Sequence, residues 1–107
     1  MSVVNVKKQE LNKIGYANFK EWQNDTNNMY IGRNMSYYVE GTNKSKWHNP
    51  YSAKKYGREE CLVMFENYIK NSPLINALEE LRGKNLGCWC KPEKCHGDIL
   101  LNLLNSK

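Results

Sequence analysis

The chain has 107 residues, of which 40% are hydrophobic and 25% are charged, so we expect one globular domain with one hydrophobic core. No apolar run approaches the roughly 20 residues that cross a bilayer, and the first residues lack the apolar stretch of a secretory signal. We therefore expect a cytoplasmic protein without a membrane partner, whose net charge of +5 permits an anionic partner but does not require one.

Two strands, a helix and a long loop are predicted in the first half of the chain. β-branched residues favour a strand at residues 3–6, and three aromatic residues spaced three apart predict a short helix at 16–22. A second strand is predicted at 29–31. Residues 34–56 have no periodicity and are rich in turn formers, so we expect a long loop, which in a compact domain is often functional.

Three helices and a strand are predicted in the second half. Apolar positions 61, 62, 65, 68 and 69 keep one face of a helix that begins at Arg58. Ser72 is a typical N-cap, Pro73 fits the first position of the next helix, and Gly83 follows its end. A strand is predicted at 84–90 and a last helix from near Cys95. This order indicates an α/β fold: a small, single-layer, mostly parallel, Rossmann-like sheet flanked by helices.

Most of the reactive side chains lie in residues 87–98, where the last strand turns into the last helix. The free amides at a helix N-terminus carry the equivalent of roughly +0.5 charge, which suits an anion such as a phosphate. Open α/β sheets also bind ligands beyond the carboxyl ends of their strands. We therefore place the functional surface at this segment.

Two chemical interpretations of this segment involve its cysteines. Cys88, Cys90, Cys95 and His96 have the side chains of a zinc site, but their spacing differs from that of the usual paired knuckles, so no metal and no cofactor are predicted. Alternatively, Cys90 or Cys95 is a catalytic nucleophile with His96 as its base. Cysteine phosphatases have an Arg six residues after the catalytic Cys. Six residues after Cys90 this chain has His96, which argues against phosphatase activity.

The favoured hypothesis is the binding of a small phosphorylated, nucleotide-like ligand. The helix amides would hold its phosphate, His96 would donate a hydrogen bond, and Arg33 and Arg58 would neutralise its charge. Trp47 and Asn49 would contact a base or sugar from the long loop. Asp98 completes the set of ligand-binding candidates, although an acidic residue also suits the first turn of a helix.

Two less specific interpretations remain open. The loop at 44–55 combines lysines with aromatic residues, as in a basic nucleic-acid-binding module. Buried cysteines and a core Trp89 would also explain part of the pattern without any ligand. The sequence leaves homo-oligomer formation open.

Five motifs of the chain resemble the family called domain of unknown function 4326. They are Tyr-Ile-Gly-Arg at 30–33, Ser-Lys-Trp-His-Asn-Pro at 45–50, Gly-Arg-Glu-Glu at 57–60, Leu-Arg-Gly-Lys at 81–84, and Gly-Cys-Trp-Cys at 87–90 followed by Cys-His-Gly-Asp at 95–98. The family usually has Gly in place of His48 and more often Phe in place of Tyr51. The resemblance implies a small Rossmann-like domain of bacteria, phages and large viruses, without a settled reaction. In a virus or phage, such a domain would suit sequestration or processing of a nucleotide signal of the host.

Overall fold

A three-stranded parallel sheet forms the centre of the protein. The computed structural model describes residues 2–39, 41–89 and 93–106, and the strands within them are β1 (Val3–Asn5), β2 (Asn28–Tyr30) and β3 (Asn85–Cys88). Their order is β1-β3-β2, and both pairings are parallel. The predicted α/β class and parallel sheet are confirmed, and each predicted strand is present with slightly different ends.

Helices make up most of the remaining secondary structure. In the described residues they are α1 (Lys8–Lys13), α2 (Phe19–Asn24), α3 (Ala53–Tyr56), α4 (Arg58–Lys70), a 3₁₀ helix (Pro73–Leu81) and α5 (His96–Asn105). The sequence does not predict α1, because Leu11 is its only buried residue and it has no apolar stripe. Helix α2 starts later than predicted because the Asn18 side chain caps it by accepting a hydrogen bond from the Glu21 amide. None of the described helices has the length and apolar character of a membrane span.

The 3₁₀ helix begins at the predicted N-cap. The Ser72 hydroxyl oxygen accepts a hydrogen bond from the Leu74 amide at 3.1 Å, and Pro73 follows in the first turn. We expect Ser72→Ala to lower the free energy of unfolding by about 1 kcal/mol, because that amide loses its partner. Chemical denaturation measures this change. Ser72→Asp keeps an acceptor and should retain most of the stability, whereas equal losses in both variants would contradict a capping role.

The sheet lies between two helical layers. Leu86 and Cys88 of β3 point to one face and pack in a hydrophobic cluster with α4, the 3₁₀ helix and α5. The opposite face packs against α1 and α2, where Trp22 is buried. Trp89 packs on this second cluster, so it faces away from Cys88, as the alternation of side chains along a strand requires.

Candidate functional site

A cleft of about 780 Å³ opens at the carboxyl ends of the strands. Lys7 follows β1, Arg33 follows β2, and Cys88 and Trp89 lie at the end of β3, and all four line it. The first turn of α4, the start of α5 and part of the loop between β2 and α3 contribute the other walls. This is the edge of a parallel sheet at which α/β proteins commonly bind ligands.

The charged side chains that line the cleft among the described residues are all cationic. Lys7, Arg33, Lys54, Arg58 and Lys94 line it, and no described lining residue is an Asp or a Glu. All five cationic residues are exposed to solvent. The structure thus brings the two predicted arginines to the same cleft and adds Lys7, Lys54 and Lys94, of which Lys54 lies in the predicted basic loop. Such a concentration of positive charge attracts anions.

A relay of hydrogen bonds fixes the backbone at Arg33. The Trp89 indole N–H donates to the Tyr30 hydroxyl at 2.7 Å, and that hydroxyl donates to the Arg33 carbonyl at 2.7 Å. Burial raises the pKa of Tyr30, which keeps the phenol protonated and able to donate. A Cβ at Gly32 would lie 2.7 Å from Cε1 of the Tyr30 ring, so the close approach requires glycine. Tyr30 therefore positions the loop that follows β2, a role that the sequence did not predict.

Arg58 connects two walls of the cleft. It is the first residue of α4, and its Nη1 donates to the Lys94 carbonyl at 3.2 Å. Lys94 lies just before α5, so this bond ties the start of α4 to the start of α5. A guanidinium group has five N–H donors, so Arg58 can bind an anion in the cleft while it donates to Lys94.

His96 is oriented by a bond that determines which nitrogen carries its proton. Its side chain is buried, with 8% of the residue exposed, and Nε2 lies 2.7 Å from the Ile31 carbonyl oxygen. Because a carbonyl only accepts, Nε2 is the donor. Burial lowers the pKa of His96, so the ring is neutral at pH 7 and Nδ1 is an acceptor.

The acceptor atom of His96 has contact with solvent. Every fully buried side-chain nitrogen or oxygen in the described residues has a hydrogen-bond partner, whereas Nδ1 has none among those residues. Nδ1 must therefore reach solvent, and His96 lines the cleft. The prediction that His96 donates a hydrogen bond to the ligand is therefore corrected: its donor is already used by Ile31.

The shifted pKa of His96 predicts a pH dependence of stability. Folding lowers this pKa below its ordinary value of 6.5. Between the two pKa values, His96 therefore binds a proton more often in the unfolded chain than in the folded protein. The stabilisation that comes from burying the neutral His96 ring is therefore complete above pH 6.5. It is lost as the pH falls towards the pKa of His96 in the folded protein. In the His48→Gln variant, which retains a single histidine, ¹⁵N NMR should show a neutral imidazole with its proton on Nε2 below pH 6.5. A ring that titrates at its ordinary value would contradict the burial argument.

A capping box closes the start of α5. Asp98 accepts a hydrogen bond from the Cys95 amide at 3.0 Å, and the Cys95 side chain accepts one from the Asp98 amide. Asp98 is not among the described residues that line the cleft. Two expectations are corrected: Asp98 serves the helix rather than the ligand, and the Cys95 and Asp98 amides are not free to hold an anion.

The thiols of Cys88 and Cys95 are adjacent. Their sulfur atoms are 3.1 Å apart in a buried hydrogen bond. The hydrogen bond from Cys88 and the amides of Gly97 and Asp98 lower the pKa of Cys95, against the opposing effects of burial and of the Asp98 carboxylate. The other predicted nucleophile, Cys90, lies outside the described residues.

The predicted metal ligands do not assemble into a complete set within the described residues. No group of three His, Cys, Asp or Glu side chains suited to a metal ion occurs there. Cys88 and Cys95 lie together, whereas Nε2 of His96 is engaged with Ile31. Cys90, the fourth candidate, belongs to the part of the chain that is not described.

The two loop residues predicted to contact a base or sugar have different surroundings. Trp47 is 1% exposed in the main core, and its indole N–H donates to Glu80 at 2.6 Å. The prediction for Trp47 is therefore corrected, because core packing leaves no face of the ring for a ligand. Asn49 does line the cleft, but its side chain accepts from the Tyr51 amide at 2.9 Å and so also shapes the loop.

The comparison with known families agrees with the motifs. The sequence profile of one family, described as domain of unknown function (DUF4326), matches residues 14–106. The chain belongs to this family. The match covers α2, β2, β3 and α5, and with them most of the cleft.

Two viral relatives of this DUF4326 chain are known. "Uncharacterized protein R718" of Acanthamoeba polyphaga mimivirus is 36% identical over 84 residues, covering 70% of this chain and 65% of the mimivirus protein. "Uncharacterized 12.4 kDa protein in nrdA-td intergenic region" of Enterobacteria phage T4 is 39% identical over 64 residues, covering 55% of this chain and 59% of the phage protein. The alignments thus span somewhat less than two thirds of each relative. No solved structure was found to match the chain.

Proposed function

We propose that this DUF4326 chain binds a small phosphorylated, nucleotide-like ligand in the cleft. The observation that carries this function is the set of five cationic side chains, with no carboxylate among the described lining residues. Because Arg58 is held beside Lys94 by a hydrogen bond, part of this charge is preorganised, which reduces the cost of binding. A cleft of about 780 Å³ has the size of small-molecule sites.

The ligand must satisfy an acceptor as well as the cations. Nδ1 of His96 accepts hydrogen bonds, so a fully ionised phosphate oxygen is a poor partner for it. A sugar hydroxyl or a base N–H is a suitable donor. Trp89 and Tyr51 also line the cleft and offer aromatic surface to a base or sugar. An anionic group joined to a hydroxyl-bearing sugar combines these properties, and this is the chemistry of a nucleotide or sugar phosphate.

The layout of the sheet fits this function. We infer a minimal Rossmann-like arrangement, in which the parallel strands β1, β3 and β2 present their carboxyl ends to the ligand and helices cover both faces. Nucleotide-binding α/β proteins use the same edge of their sheets. Here the charge comes from side chains, because the capping box engages amides at the start of α5.

Isothermal titration calorimetry tests the proposed function. Sulfate, ribose 5-phosphate and adenosine monophosphate are titrated into the same protein. We expect affinity to rise from sulfate, which has no donor, to the two sugar phosphates, because only these offer a hydroxyl to His96. Absence of binding by both sugar phosphates at ligand concentrations up to about 1 mM would contradict the function.

One observation favours a second candidate function, a thiol-dependent enzyme. Hydrogen bonds from Cys88 and from helix amides lower the pKa of Cys95, as in activated cysteines. With Cys95 as nucleophile, iodoacetamide should alkylate it much faster than Cys61, and ribose 5-phosphate should slow the reaction. Equal, slow alkylation of the two cysteines would rule this enzyme out.

The alternative function, a basic nucleic-acid-binding module, is tested by measuring how the affinity for an oligonucleotide depends on salt concentration. A protein that contacts several phosphates of an oligonucleotide loses affinity steeply as salt increases. We expect no such steep dependence, because the cations surround a cleft and Trp47, the indole of the basic loop, is buried. A steep dependence, with stronger binding than that of adenosine monophosphate, would favour the module.

A role in infected cells is the biological proposal. The viral relatives and the cationic cleft together suggest that the protein sequesters or processes a nucleotide of the host, in the cytoplasm of the infected cell. Binding of a nucleotide is the step on which this role depends.

A further inference from the structure

We propose that Cys88 and Cys95 form a redox-active dithiol that small peroxides convert into a disulfide. Cys88 is the last residue of β3 and Cys95 is the N-cap of α5. Their sulfur atoms are 3.1 Å apart, so a bond between them needs an approach of only about 1 Å. Both residues line the cleft, so the cleft is the side from which an oxidant would approach them.

The surroundings assign different roles to the two sulfur atoms. Cys95 accepts hydrogen bonds from the amides of Gly97 and Asp98 at a helix N-terminus, and these donors stabilise a thiolate against the opposing effects of burial and of the Asp98 carboxylate. Cys88 provides the third donor through its thiol. Cys95 is therefore the attacking sulfur and Cys88 the resolving one. Because each residue is only 1% exposed, bulky oxidants are disfavoured and the oxidant must be as small as a peroxide.

The reaction takes two balanced steps. The Cys95 thiolate attacks one oxygen of hydrogen peroxide, which breaks the O–O bond, forms a sulfenic acid on Cys95 after proton transfer, and releases the other oxygen as hydroxide or water. The Cys88 sulfur then attacks the Cys95 sulfur, displaces its hydroxyl group as water and gives up its own proton. Both thiols are oxidised by two electrons in total, and the peroxide is reduced to water.

Cys61 provides an internal control for the oxidation of Cys88 and Cys95. It is also buried, at 4% exposed, but its sulfur donates a hydrogen bond to the Arg58 carbonyl at 3.1 Å. Donation to a carbonyl stabilises the protonated thiol, which is the unreactive form. Burial alone therefore does not predict oxidation, and Cys61 should remain reduced when Cys88 and Cys95 are linked.

Peptide mapping of the oxidised protein tests the dithiol. The reduced wild-type chain is treated with an equivalent of hydrogen peroxide, its remaining thiols are blocked, and it is digested with trypsin. Cleavage after Lys84 and Lys94 places Cys88 in peptide 85–94 and Cys95 in peptide 95–107, so a disulfide joins two separate peptides. We expect this pair to be the main product. Oxidation that stops at sulfenic or sulfinic acid on Cys95, or links Cys61 instead, would overturn the proposal.

Two variants identify the partner of Cys95. Peptide 85–94 also contains Cys90, so the Cys90→Ser variant should still form the linked pair at an unchanged rate. The matched Cys88→Ser variant should form none, and Cys95 should then accumulate as the sulfenic acid. Loss of the link in Cys90→Ser and its persistence in Cys88→Ser would assign the resolving role to Cys90 and overturn the pairing. Should Cys88→Ser not fold, fragment ions of the linked wild-type peptides distinguish the two cysteines.

Discussion

Replacing Gly87 by alanine is expected to lower the free energy of unfolding by about 3 kcal/mol, at the upper end of overpacking effects. Gly87 lies in the central strand, between its partners Val4 and Tyr30. A Cβ there would lie 2.6 Å from Cγ1 of Val6 and would clash with the six-membered ring of Trp22. Both neighbours are core residues at 1% exposed, so neither moves without cost. Urea denaturation measures the loss.

A second substitution shows whether Trp22 causes this loss. Phe in place of Trp22 removes part of the ring system that the new methyl group would meet, so the methyl group fills part of the space left behind. We expect the double variant Gly87→Ala with Trp22→Phe to be more stable than the sum of the two single losses predicts. Simple additivity would contradict the packing of α2 directly on the glycine.

Removal of the Arg58 side chain is expected to weaken the binding of adenosine monophosphate by about tenfold to a hundredfold. This range corresponds to the loss of a hydrogen bond to a charged group, about 1.5–3 kcal/mol. Arg58 is chosen because its hydrogen bond to the Lys94 carbonyl already orients it towards the cleft. Calorimetric titration of Arg58→Ala gives the change, and Arg58→Lys should lie between this variant and the wild type because it keeps the charge but loses the planar fork.

Arg82 provides a matched control for charge. It forms two hydrogen bonds with Glu79, at 2.7 and 3.0 Å, and it is not among the described residues that line the cleft. Arg82→Ala changes the net charge by the same amount as Arg58→Ala but should leave the affinity within about twofold, since distant exposed charges are screened. Equal losses in both variants would show that overall charge, and not the cleft, attracts the ligand.

The sequence predicted the sheet because its strands carry local signals. β-branched residues mark β1, and alternation places Leu86 and Cys88 on the face opposite Trp89. The parallel arrangement then brings Arg33 and His96 to the same edge, although they are far apart along the chain. Helix α1 was missed because Leu11 alone is buried in it, which is too little for a periodic pattern.

The parts of the site that were predicted wrongly depend on tertiary contacts. Whether His96 donates or accepts is decided by the carbonyl of Ile31, 65 residues earlier in the chain. Trp47 belongs to a loop without periodicity, so the sequence gives no sign that its ring enters the core and meets Glu80. The role of Asp98 had a local signal, since it stands three residues after Cys95, but cysteine is not a usual N-cap.

The central claim is that a nucleotide binds at the carboxyl ends of the strands. The most direct measurement is a two-dimensional ¹H–¹⁵N NMR titration of the wild-type chain with adenosine monophosphate. The claim predicts saturable shifts of the backbone amides of Gly32, Arg33 and Arg58, together with a shift of the Nδ1 resonance of His96. Saturable shifts confined to the opposite end of the strands, near Asn28 and Asn85, or the absence of any shift, would contradict it.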